Sequence, residues 1–327
     1  MKRCILLAIS VYFFGCSQDG PSPVDRTVHL AGFVSTSEGT PVASYWKDGV
    51  YTALTTDEFY SNVSSLSVDG SSVVIGGSKQ IPNSQSVSLY WQDGKETILN
   101  GAFGSPMVIL HDNDLYGLWM EGAGWVYHKH GTSQPLIDTA YDFGPMALAI
   151  SGDDVYTSGY SSGSALPPNY SPPQNAQCWK NGQLIFKETE VSNALSVIVH
   201  HNDIYMSGHL YSPGQQSGRA CYWKNGQRII LTDEKVVAVA RSIFVTDTNV
   251  YASGMINDQA VYWKDGTAIF LTTGSTAMAN SIFVQGDDVH VAGYENGYPA
   301  YWKNGVKENI SNQDKRGQIK FVVAGSN

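Results

Sequence analysis

A five-residue block recurs seven times along this chain, at intervals of 37 to 51 residues, and each copy ends a strand and turns a hairpin. The copies are Tyr45-Trp46-Lys47-Asp48-Gly49, Tyr90-Trp91-Gln92-Asp93-Gly94, a worn Tyr127-His128-Lys129-His130-Gly131, and Cys178-Trp179-Lys180-Asn181-Gly182. Then follow Tyr222-Trp223-Lys224-Asn225-Gly226, Tyr262-Trp263-Lys264-Asp265-Gly266 and Tyr301-Trp302-Lys303-Asn304-Gly305. A unit of this length cannot bury its own apolar faces, so it must stack on neighbours of the same kind.

The interval between Ala279 and Ser311 shows the plan of one unit. Ser281 to Val284 is a short apolar strand, and Gln285-Gly286-Asp287-Asp288 is a turn. Val289 to Gly293 is a second strand and Pro299 to Lys303 a third. Asn304-Gly305 closes a two-residue hairpin, since Asn-Gly and Asp-Gly readily take the positive φ of a type I′ turn. Val306 to Ile310 is a fourth strand. Six of the eight tryptophans lie in the third-strand block, and in five blocks Tyr and Trp are adjacent, hence on opposite faces. A sheet with a large ring on each face needs a partner on each face.

Seven antiparallel four-stranded sheets arranged around an axis satisfy every unit, and closing the circle protects most strand edges. The ends supply the closure. Thr27 to Gly32 reads as a second strand with no first strand before it, and Gly317 to Val322 follows the last repeat with no third strand after it. The expected architecture is therefore all-β. It is a seven-bladed β-propeller over 26–327, in which the C-terminal strand becomes the innermost strand of the first blade.

Residues 1–15 read as a targeting segment. Lys2 and Arg3 precede an apolar run from Ile5 to Phe14, which suits a signal-peptide core and is too short for a mature membrane span. Gly15-Cys16 closing this run resembles the lipobox of bacterial lipoproteins, with Phe13 where Leu is usual. The resemblance implies cleavage before Cys16 and a lipid on its sulfur; the alternative is an ordinary secretory signal with a chance cysteine. Residues 16–25, rich in Gly, Pro and polar residues, read as a lipidated tether. Loss of Lys2 and Arg3 takes the net charge from −9 to −11. That excludes the basic face a nucleic-acid partner would need, and suits a monomeric body held at the bacterial cell envelope, periplasmic or surface-exposed, with the outer membrane as the expected anchor.

Cys178 and Cys221 occupy the third strand of successive units, one residue out of register. Packed sheets lie about 10 Å apart, whereas a disulfide wants Cα atoms within roughly 7 Å. The spacing favours two small buried thiols over a bridge.

Val-Tyr-x-x-Gly followed by Tyr-Trp-Lys-Asn/Asp-Gly resembles the repeat of a family of bacterial secreted and lipoprotein β-propellers to which no activity is assigned. The resemblance covers nearly the whole of 26–327. It implies the fold and carries no catalytic residue across. WD40 units need a Trp-Asp pair, absent here; kelch units a Gly-Gly pair, matched only by Gly76-Gly77. The six-unit Tyr-Trp-Thr-Asp receptor propellers differ in count and in the Thr position.

The turns from strand one to two and from three to four are tight. The opposite end carries the long, variable connections, where binding usually resides on a rigid scaffold. Tyr160, Tyr170, Tyr211, Tyr60 and Tyr141 lie there, among Asp57, Glu58, Asp142, Glu188, Glu190, Asp233 and Glu234. Rings with carboxylates suit docking of a protein or glycan; equally, each ring alone would serve to staple a loop to the scaffold. Ser64, Pro106, Met146, Leu195, Arg241 and Asn280, just before each first strand, are expected to line the mouth of an axial channel, with Arg241 its single charge. No GxSxG, HExxH or phosphate loop is present. His128 with His130, or His200 with His201, could bind a metal weakly, but both pairs read as solvated turn histidines, since zinc wants three or four convergent ligands. No metal, cofactor or catalytic residue is therefore expected. The sequence favours an envelope-anchored binding scaffold. The alternative is an envelope glycoside hydrolase or lyase, for which a carboxylate pair about 5 to 10 Å apart on the long-loop face would be needed.

Overall fold

In a computed structural model of the chain, residues 26–55, 59–81, 86–122, 124–136, 143–162, 174–211 and 218–326 are described. They form seven four-stranded antiparallel sheets. The sheets are the seven blades of a propeller. In blades 2 to 7 strand order follows the chain from the axis outward. Blade 1 orders Gly317–Ser326, Arg26–Ser35, Pro41–Lys47 and Val50–Ala53, so the C-terminal strand is its innermost strand and closes the ring.

Each repeated residue has a structural duty. In all seven hairpins the Asp, Asn or His has φ of 49–52° and the Gly that follows 70–81°. All six Asp or Asn side chains then accept a backbone N–H near the start of the blade's own second strand, as Asn225 Oδ1 does from Ile204 N at 2.8 Å and Asp265 Oδ1 from Val250 N at 2.9 Å. The third-strand lysines reach the acid opening that second strand: Lys180–Asp154 and Lys224–Asp203 at 2.8 Å, Lys303–Asp288 at 3.0 Å.

The core lies between blades. Trp46, Trp91, Trp179, Trp223, Trp263 and Trp302 are at most 2 % exposed. Trp302, for instance, packs with Ile282, Val284 and Val291 of its own blade against Tyr251, Ala260 and Tyr262 of blade 6. Cys178 of blade 4 and Cys221 of blade 5 enter one shared cluster with Met206, Leu210 and Trp223, and both are free thiols. Burial pushes the Cys178 thiol up to about 12 and Cys221 up likewise, so neither is a thiolate.

Blade 3, the worn copy, compensates for its missing tryptophan. His128 occupies the block position and stacks on Trp119 of the second strand, with centroids 3.7 Å apart and planes at 13°. Glu121 Oε1 accepts the Trp119 indole N–H at 2.8 Å and lies 3.0 Å from His128 Nε2.

The first strands start earlier than the sequence suggests. In blade 7 the strand is Ala277–Gln285, interrupted by a register shift between Ala279 and Ser281. The same break recurs at Val63/Ser65, Pro145/Ala147, Ala194/Ser196 and Ala240/Ser242. A single bulged residue stands at each: Ser64, Met146, Leu195, Arg241 and Asn280. The glycine ending the second-strand motif sits opposite. A Cβ on Gly208, Gly254 or Gly293 would lie 1.8 Å from the carbonyl oxygen of Asn193, Val239 or Met278. The glycine is thus required by the bulge across from it.

Candidate functional site at the long-loop end of the axial shaft

The seven innermost strands touch in sequence around the axis, and their bulges form a ring near the long-loop end. The residues expected at the channel mouth therefore lie within the strands rather than before them. Pro106 is in the broader irregularity of blade 3, between Phe103 and Met107. The seventh member is Lys320, the residue skipped where the C-terminal strand shifts register between Phe321 and Ile319. The ring thus carries two charges, and the expectation of a single charge is corrected. Lys320 escaped notice because its strand belongs to blade 1 only after closure.

Several bulged side chains reach the inner strand of the following blade. Ser64 Oγ donates to Pro106 O at 2.5 Å, Asn280 Nδ2 to Ile319 O at 2.8 Å, and Lys320 Nζ to Val63 O at 3.2 Å. Arg241 makes no ion pair with any described residue. Its side chain is reached by solvent, yet enclosure by protein is the main cause lowering its pKa. Both facts fit a cation on the inner ring of strands that is open to water yet ringed by protein. Burial, and secondarily the positive charge of Arg241, hold Lys320 down at about 8. No described carboxylate pairs with Lys320 either. Two cations thus stand near one another in a chain with 29 acidic residues, Lys320 partly buried and Arg241 open to solvent, and an anion joining them would relieve their repulsion.

Blade 5 adds polar groups beside this shaft. His209 is held down at about 4 by burial and then by Arg241, so it is neutral. Its Nδ1 and the Oδ1 of its strand partner Asn193 are buried with no hydrogen-bond partner among the described residues. The Ser158, Ser207 and Ser253 hydroxyls are also unpaired, but they recur at one position of successive second strands and belong to the scaffold. The His209 ring meets Tyr211 edge-on at 4.6 Å. Burial, and secondarily Tyr160 of blade 4, raise the Tyr211 hydroxyl, so these two rings are electrostatic neighbours.

Three of the expected ligand-binding residues, Tyr160, Tyr211 and Arg241, thus gather around blades 4 to 6. Tyr60 stands apart, 42 % exposed, its carbonyl accepting Gln80 N at 2.8 Å. It adjoins a hollow of blades 1 and 2 lined by Leu54, Phe59, Ile81 and the Lys79–Glu96 pair. Tyr141 and Tyr170 lie outside the described residues, as does Cys16. Asn193, His209 and Lys320 are additions that motif reading missed.

Of the rim acids, Glu188, Glu190 and Glu234 are committed to structure, while Asp57, Glu58 and Asp142 lie outside the described residues. Arg228 holds Glu190 at 2.7 Å and Glu188 at 3.5 Å, and Arg219 holds Glu234 at 3.0 Å. Burial opposes the charge of Glu188, but the Trp223 indole, backbone N–H groups and Arg228 outweigh it and keep its pKa low.

At the tight-turn end, His200 and His201 are not simply solvated. Asp247 of blade 6 approaches both, which the sequence gives no local sign of.

No protein-family model matches the chain, and no curated protein matches it. Solved structures share its fold at low identity. A puromycin-hydrolyzing peptidase of Mycobacterium tuberculosis is 10 % identical over 76 % of this chain and 46 % of its own, with a TM-score of 0.52. The β-propeller domain of the trilobed protease from Pyrococcus furiosus, which has an open velcro topology, is 13 % identical over 78 % and 84 %, with a TM-score of 0.51. An acylaminoacyl peptidase of Pyrococcus horikoshii is 12 % identical over 77 % and 52 %, with a TM-score of 0.39. The chain spans about half the length of the two peptidases. The two likenesses with TM-scores above 0.5 show the β-propeller fold and nothing narrower.

Proposed function

We propose that the protein is a binding scaffold of the bacterial cell envelope, tethered by lipid on Cys16, that takes a protein or glycan ligand at the long-loop end of its shaft and performs no catalysis. The observation carrying this reading is the pair of neighbouring cations, Arg241 and Lys320, without a described acid, beside the buried Asn193 Oδ1 and His209 Nδ1 that lack a hydrogen-bond partner among the described residues. Groups left incomplete by the protein are groups a ligand completes. The ligand accordingly presents an acidic group to the shaft, while Tyr160 and Tyr211 offer ring faces beside it. The pairing of Glu188, Glu190 and Glu234 with arginines favours binding over glycoside hydrolysis, which needs an uncommitted acid and base. A glycan array that includes uronic-acid and sialic-acid sugars, together with affinity capture from envelope extracts, tests this. Retention that is lost in both Arg241→Met and Lys320→Met is expected; retention indifferent to both variants would sink the reading.

A further inference from the structure

The turn between the first and second strands of blade 5 is His200-His201-Asn202-Asp203, where other blades place Asp, Asn, Gly, Ser or Thr after the first position. Adjacent residues of a strand point to opposite faces. Here His201 leaves the strand with φ of 47° and Asn202 follows at 66°, so the chain reverses at once and both imidazoles turn the same way. Their centroids are 4.2 Å apart and their planes at 74°. Asp247, in the equivalent turn of blade 6, meets them: its Oδ1 lies 3.0 Å from His200 Nε2 and 2.8 Å from His201 Nε2. The three ligand atoms lie within 4.8 Å of one another. No lysine or arginine among the described residues pairs with Asp247. Between blades 2 and 3 a carboxylate one turn position earlier, on Asp69, reaches the following blade and accepts the backbone N–H of Asn113 at 3.0 Å, so neighbouring turns are joined there without imidazoles.

We propose that His200, His201 and Asp247 bind one divalent transition-metal ion, with zinc as the reference case, and that the ion bridges blades 5 and 6. Two imidazoles and a carboxylate suit zinc, nickel or copper, whereas calcium and magnesium want oxygen ligands throughout. Zinc–ligand bonds of about 2.0–2.1 Å in a tetrahedron separate the ligand atoms by roughly 3.4 Å. The two imidazole–carboxylate contacts therefore widen by only about 0.4–0.6 Å on loading. Each imidazole then keeps its proton on Nδ1 and offers the Nε2 lone pair. His201 and Asp247 are 73 % and 79 % exposed, so a fourth position faces water.

Titration calorimetry of zinc chloride and nickel chloride into the purified, tag-free chain tests the proposal. One saturable site is expected, with a melting temperature that rises with metal. His201→Ala and Asp247→Asn should each weaken binding at least tenfold and remove that rise, while His130→Ala, altering another histidine of the same end, should change neither. In the unmutated chain, nickel should broaden the amide resonances of 199–203 and 246–249 before any others. Absence of saturable binding, equal binding in both site variants, or broadening spread over His111 and His130 would overturn it. Asp247→Asn preserves shape, and the resonance measurement needs no variant.

Discussion

The tight-turn end and the axial ring of this propeller treat charge in opposite ways. At the tight-turn end, Lys180, Lys224 and Lys303 each face an aspartate of their own blade, and six hairpin side chains close onto backbone. Near the long-loop end, Arg241 and Lys320 stand in the shaft with no described acid. The first set repeats with the blades and holds them in shape. The second set breaks the repeat, and that departure is what the proposed ligand site rests on.

The most severe change should leave the contrast between the ends intact while removing what they share. Trp263→Ala empties a site 1 % exposed and should cost about 3–5 kcal/mol in denaturant unfolding. Next comes the shaft. Arg241→Met and Lys320→Met should each abolish ligand retention yet leave stability nearly unchanged, because neither side chain takes part in an ion pair among the described residues. A loss of stability in both would place these cations with the scaffold. Asn225→Ala gives up a side-chain bond and a favoured left-handed residue, and should cost about 1–2 kcal/mol with ligand retention unchanged.

Titration sharpens the comparison further. His209 is lowered from 6.5 to about 4, so between those values the unfolded chain binds the extra proton. Stability contributed here is present above about 6.5 and lost as pH falls toward about 4. Lys320 is lowered from 10.5 to about 8, so its contribution makes stability rise between about 8 and 10.5. Melting curves of His209→Gln and Lys320→Met should each lack the corresponding limb. Smallest of all, Asp203→Asn breaks an exposed pair with Lys224 and should barely move the melting temperature.

The architecture was legible because its signal is redundant: seven hairpins, six buried tryptophans and two half-blades that need each other. The site was legible only in part. Arg241 stood out as a charge at a recurring position, but Lys320 held that position in a blade assembled from both ends of the chain. His209 and Asn193 sit in ordinary strand sequence and matter through what they lack, which no pattern of letters displays. His200 and His201 were visible; Asp247, 46 residues on, became their neighbour only through blade stacking. Local duties of the repeat, such as Gly254 opposite the Arg241 bulge, are likewise contacts across strands rather than along one.

Gly317–Ser326 brings Lys320 into the shaft and at the same time zips the ring shut. A nascent chain halted before those residues would own Arg241 but no finished tunnel and no second cation. The proposed ligand site is therefore complete only once that strand has been made and has docked beside Arg26–Ser35.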